Sequence, residues 1–187
     1  MALSLLIGIG LSAACGFRVF VPLFGLSLAS LTGYLTLSPG FAWIGTWPAL
    51  VAFATATVLE IAAYSIPWLD HLLDTLTTPA AVVAGTMMTA SLVTDLSPLL
   101  KWTLALIAGG GVAGVIQAGT VLLRGTSTAA TGGAGNLLVA LGEAAGSVLT
   151  TLLAILVPVA GLLIAGGLCS YIVMKWVRGR KKQVSRG

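Results

Sequence analysis

From Leu137 to Trp176 the chain runs forty residues with two charged side chains, Glu143 and, near its end, Lys175. As one helix that stretch would be about 60 Å long, twice the roughly 30 Å hydrocarbon core of a bilayer. It is too apolar for a solvated helix and too long for one crossing, so it must fold back. The break belongs at "VPVAG", where Pro158 can open a second helix because the first-turn amide is not needed there.

The rest of the chain obeys the same constraint. Hydrophobic residues make up 58% of it and charged residues 7%, with a mean hydropathy of +1.08. A soluble domain carries about a quarter charged residues, so this chain cannot cover itself with a solvated surface. Its apolar residues come in blocks rather than in alternation, which argues against a β-barrel. The expected fold class is all-α: a polytopic transmembrane helical bundle of about six spans, some of them interrupted. One domain, 1–176, precedes a basic tail, 177–187.

The spans read as follows. Leu3 to about Leu37 is broken by "CGFRVFVP", predicting a kink near Gly16 and Pro22 or two half-helices. "LSAAC" before Cys15 lacks a basic leader and the apolar run continues past it, so an uncleaved first helix is expected. Trp43 and Trp47 suit a membrane interface, and a second span runs from Pro48 to Ile66. Leu69, Leu72, Leu73 and Leu76 then share one helical face opposite Asp70, His71, Asp74 and Thr77, predicting a short surface helix over 68–77. A third span runs from Pro79 to Val93, and a fourth from Leu99 to Leu123 with Ser97 as its N-cap. "RGTSTAATGGAGN" reads as a flexible loop whose Asn136 caps the fifth helix. "IGIGLSAA" resembles "AGGGVAGV", and "TPAAVVAG" resembles "VPVAGLLIAGG". Halves 1–95 and 96–176 would then form an inverted three-helix repeat, although small apolar residues also match by chance.

Six of nine basic residues lie in Lys175 to Arg186, leaving three bases against five acids, a net charge of −2, in the rest. A basic run after an apolar helix is a cytoplasmic anchor rather than a nucleic-acid arm, and it faces anionic lipid. Both termini are therefore expected on the cytoplasmic side of an inner (plasma) membrane.

"GLSAACGFRVFVP", "IPWLDHLLDTLTTPAAVVAGT", "KWTLALIAGGGVAGVIQAGTVLLR" and "STAATGGAGN" together resemble an uncharacterised bacterial multi-pass membrane family, domain of unknown function 4126. The resemblance covers nearly all of the chain up to about Pro158. It implies a multi-pass membrane protein and carries no activity or functional residue with it.

A charge inside a span costs about 2.5–3.5 kcal/mol on insertion scales and is a functional candidate for that reason. Arg18, Glu60 and Glu143 are such charges, and Arg18 and Glu60 are expected to share one buried network. The plainer reading is an Arg–Glu pair that only fixes packing. Asp70 and Asp74 stand one turn apart beside His71, the one histidine in the chain. Catalytic zinc usually takes three protein ligands, so the acids are better read as lining a vestibule. No metal, cofactor or catalytic residue is assigned. The leading reading is a small transporter or channel for an ion or small solute, working as a homo-oligomer, with Arg18, Glu60, Asp70, Asp74 and Glu143 as its polar site. The alternative is a membrane scaffold or assembly factor. An intramembrane enzyme is disfavoured, since no nucleophile–base pair or metal triad can be named.

Overall fold

The computed structural model describes residues 2–63 and 67–184, without the side chains of 67–74 and 179–184. The described residues form helices joined by short turns and loops, with no strand among them. The helices are α1 (Ala2–Cys15), α2 (Phe20–Leu31), α3 (Trp47–Ala63), α4 (Pro67–Leu92), α5 (Pro98–Leu104), α6 (Gly111–Thr131), α7 (Asn136–Leu156) and α8 (Pro158–Val184). A short 3₁₀ helix, Pro39–Gly45, precedes α3, and a π-helical stretch, Ala105–Gly110, joins α5 to α6. The end of the bundle holding the Gly132–Gly135 turn is called lower here, and the end holding Val157 upper.

The first apolar block is two half-helices, one of the two forms expected. α1 starts at the upper end: a Cβ on Gly8 would fall 2.9 Å from the Thr89 Cα, and one on Gly10 would fall 2.7 Å from the Ala154 Cβ. Lower down, Ser147 Oγ donates to the Ala14 carbonyl and Arg18 donates to the Ala140 carbonyl. α2 then returns upward, because Gly25 lies against Thr151 and Ile155. The pair is a re-entrant hairpin with its tip at Gly16–Val19. Irregular backbone at membrane depth must be buried in protein, and Gly16, Arg18 and Val19 are buried. Pro22 sits in the first turn of α2, where a helix has no use for its amide.

α4 occupies the middle of the bundle, packed on α1 and on the π–α6 segment. Glycine makes this possible: a Cβ on Gly85 would lie 2.6 Å from the Ala113 Cβ and 2.8 Å from the Gly109 carbonyl. The expected break at Pro79 is absent, since α4 runs continuously from Pro67 to Leu92 with Pro79 inside it. The surface helix expected over 68–77 is therefore the first part of a longer one. A helix packed in a membrane bundle tolerates an internal proline because its neighbours satisfy the groups it frees.

α5, the π stretch and α6 form one 34-residue apolar helix, Pro98–Thr131. The expected loop at 124–136 is thus only a tight turn, with Gly132 and Gly133 at φ of 63° and 94°. Gly135, not Asn136, takes the N-cap position of α7, and the Asn136 amide instead donates to Thr128 Oγ1. Ser97 does stand at the N-cap of α5, without a side-chain hydrogen bond. The fold-back at Pro158 is present, and Gly161 of α8 packs against Ala154 of α7.

Among the described residues, three helices are long and apolar enough to cross a membrane, or four if the 3₁₀ helix and α3, bent by 66°, count as one. α1 and α2 are shorter than a span. α8 descends from Gly161 past Ile172, which meets Gly119 of α6. The described chain begins at the upper end of the bundle, and the lining of α8 at Lys175 and Trp176 lies at the lower. The two halves also differ in plan, the first led by a broken helix and the second by a continuous one.

Candidate functional site

Four buried charges converge on the tip of the re-entrant hairpin. Arg124 of α6 grips Glu143 of α7 in a fork, with Nε donating to Oε1 at 3.0 Å and Nη2 to Oε2. Arg124 stands seven residues before the end of α6, and Glu143 seven after the start of α7, so the pair lies about 10 Å from the turn joining them. Arg18 adds a second cation, its Nη2 3.6 Å from Glu143 Oε2 and donating to the Ala140 carbonyl at 2.9 Å. The side chains of Arg18, Arg124 and Glu143 are 1–3% exposed. In so dry a place the ion pairs are strong, but removing one partner strands the other.

Glu60 of α3 completes the group in a different way. Its Oε1 accepts the Val19 N–H at 2.8 Å and its Oε2 the Phe20 N–H at 3.1 Å. These amides open α2, so the carboxylate caps a half-helix whose positive dipole end lies inside the protein. Val19, whose amide it binds, is the neighbour of Arg18 in the chain. Glu60 is also the one residue buried in the lower half of α3, Ala49 and Leu50 being the others along that helix.

The structure thus brings Arg18 and Glu143 into direct contact and sets Glu60 on the neighbouring backbone. Asp70 and Asp74 lie on α4, with His71 between them, and their side chains fall outside the described residues. Above the charges runs a polar seam. Ser12 Oγ lies 2.6 Å from the Gly85 carbonyl and 3.1 Å from Thr89 Oγ1, and Gln117 donates to Thr77 Oγ1 at 3.1 Å. No group of three or more His, Cys, Asp or Glu side chains with metal-binding geometry occurs among the described residues.

A family model described as Domain of unknown function (DUF4126) matches residues 5–178. The chain belongs to the DUF4126 family. The match takes in all four charges at the hairpin tip and ends before the last basic residues of the tail. No curated protein and no solved structure matches the chain.

Sequence reasoning missed Arg124 in this DUF4126 chain because it assigned that residue to a loop. A signal was present, since "LLRGTSTAAT" holds neither proline nor paired glycine before Gly132, and Gln117, Thr120 and Arg124 recur at helical spacing on the buried face of α6.

The DUF4126 chain also carries a groove of about 650 Å³ between α6 and α8. Phe17 reaches it from the hairpin tip, Leu122 and Leu123 line it from α6, and Leu168, Lys175 and Trp176 from α8.

Proposed function

We propose that this protein is a small transporter or channel that moves an ion or small solute across the membrane. The observation that carries the reading is the helix break at Gly16–Val19, whose open amides meet the Glu60 carboxylate beside Arg18, Arg124 and Glu143. Discontinuous helices ending on charged groups inside a bundle are a recurring way of building a transport site. Glu60 is the ion- or proton-binding carboxylate in this reading, and Arg18 and Glu143 set the field around it. Asp70 and Asp74, on the first turns of α4, are assigned to the entrance in this reading. A bilayer-embedded homo-oligomer of the inner membrane, with its basic tail cytoplasmic, is the arrangement proposed. The π-helical stretch between α5 and α6, packed against α4, supports a moving part, since such turns are frequent at functional sites.

A second reading is favoured by the closed fork between Arg124 and Glu143. If it never opens, the protein is a scaffold whose charges only fix helix packing. Proteoliposomes loaded with a pH-sensitive dye, under imposed proton, sodium, potassium or chloride gradients, separate the two. Transport predicts a flux above that of empty liposomes, abolished by Glu60→Gln in a protein that still reconstitutes. Flux equal to empty liposomes for every gradient would support the scaffold.

A further inference from the structure

We propose that the groove between α6 and α8 binds an anionic phospholipid of the leaflet on the tail side, with one acyl chain in the recess and the phosphate at Lys175. The inference is independent of transport. The recess is apolar where a chain would lie, with Ile116 and Leu123 on one wall and Leu168 and Ile172 on the other. Its end at Lys175 and Trp176 has the chemistry of a headgroup zone, because a lysine there reaches the interface and a tryptophan sits at headgroup depth. From Leu168 to Trp176 the groove follows α8 for about 12 Å, which fits within one leaflet of a roughly 30 Å hydrocarbon core.

Charge selects the headgroup. The last acid in the sequence is Glu143, and from Lys175 onward the chain carries six bases and no acid. A zwitterionic headgroup would gain little from this surplus, whereas an anionic one gains at each base. Phe17 and Thr120 also line the recess. Phe17 adjoins Arg18, and Thr120 lies one turn from Arg124, so the bound chain would close the lipid side of the charge cluster.

Native mass spectrometry of the full chain in detergent, titrated with phosphatidylglycerol or phosphatidylcholine, tests this. The wild type should retain one phosphatidylglycerol several-fold more tightly than phosphatidylcholine. Lys175→Ala should weaken phosphatidylglycerol retention about fivefold, the factor that one basic residue at an anionic surface supplies, and leave phosphatidylcholine unchanged. Leu122→Trp and Leu123→Trp each fill the groove from positions more than half exposed, so the fold should survive, as an unchanged melting temperature would verify. Each should lower retention of both lipids. Equal wild-type affinity for the two lipids would overturn the headgroup assignment. Undiminished phosphatidylglycerol binding by both tryptophan variants would overturn the groove, leaving the basic tail as the binding element.

Discussion

Glu60 holds the backbone of Val19, 41 residues away in sequence, through a 2.8 Å hydrogen bond from the amide to Oε1. One side chain therefore does two structural tasks. It satisfies the start of a half-helix that opens inside the bundle, and it is the one buried residue in the lower half of α3. Elsewhere that half of the helix turns apolar side chains outward, Val58 and Leu59 being 66% and 63% exposed. The same carboxylate that would bind a transported cation is thus the pin holding α3 to the hairpin tip.

Replacing Glu60 should consequently loosen the protein. Glu60→Gln keeps one carbonyl acceptor and sets an NH₂ against the second amide. A hydrogen bond to a charged group contributes about 1.5–3 kcal/mol, and a loss in that range is expected. Glu60→Ala, which abandons both amides, should lose more. Thermal melting in detergent reads both. Equal melting of wild type and alanine variant would contradict the capping role.

The Arg124–Glu143 fork should be the most strongly coupled pair in the molecule. Arg124→Gln or Glu143→Gln alone should destabilise by about 3–5 kcal/mol, because each strands a buried charge. The double replacement should recover part of that loss, with a coupling energy of about 0.5–3 kcal/mol. Arg18 and Glu60, the pair expected from sequence, should couple more weakly, since Arg18 contacts Glu143 and Glu60 contacts backbone. Strictly additive losses for Arg124 and Glu143 would show that the fork contributes no stability as a pair.

The membrane class, the break in the first block and the fold-back at Pro158 were all legible, because each follows from apolar length and a proline or glycine beside it. Arg18, Glu60 and Glu143 stood out for the same reason, as charges in apolar runs. What could not be read was the partner of each. Glu60 bonds to amides, which leave no mark in a sequence. Arg124 was hidden by a threonine- and glycine-rich segment that resembles a loop but continues as helix against α8. Pro79 misled in the opposite sense, since the rule that proline starts a helix weakens where packed neighbours supply hydrogen bonds.

Gly85 should resist any side chain. Its missing Cβ would meet both Ala113 and the Gly109 carbonyl, and overpacking of this kind costs about 1–3 kcal/mol. Gly111 faces open space, with nothing within 4 Å of a Cβ placed there. Gly111→Ala should therefore be neutral or stabilise the helix by about 0.5–1 kcal/mol. Parallel melts of the Gly85→Ala and Gly111→Ala variants check the contrast, which would fail if both shifted alike.

The helix path makes a stronger claim about topology than composition does. An even number of spans would put both termini on one side, whereas α1 and α2 turn back at Arg18 and are each shorter than a span. Gly8 at the start of α1 lies beside Thr89, close to the upper end of α4, whereas Lys175 and Trp176 line a groove with Thr126, near the lower end of α6. If the basic tail lies in the cytoplasm, as the excess of positive charge favours, the N-terminus must lie across the membrane from it. Reporter fusions at the two ends should report opposite compartments, and a cysteine introduced at residue 2 should react with an impermeant maleimide from the side opposite one introduced at residue 187. Both ends on the same side would mean that α1 and α2 together make a true crossing, and the hairpin at Gly16–Val19 would not describe the protein in its membrane.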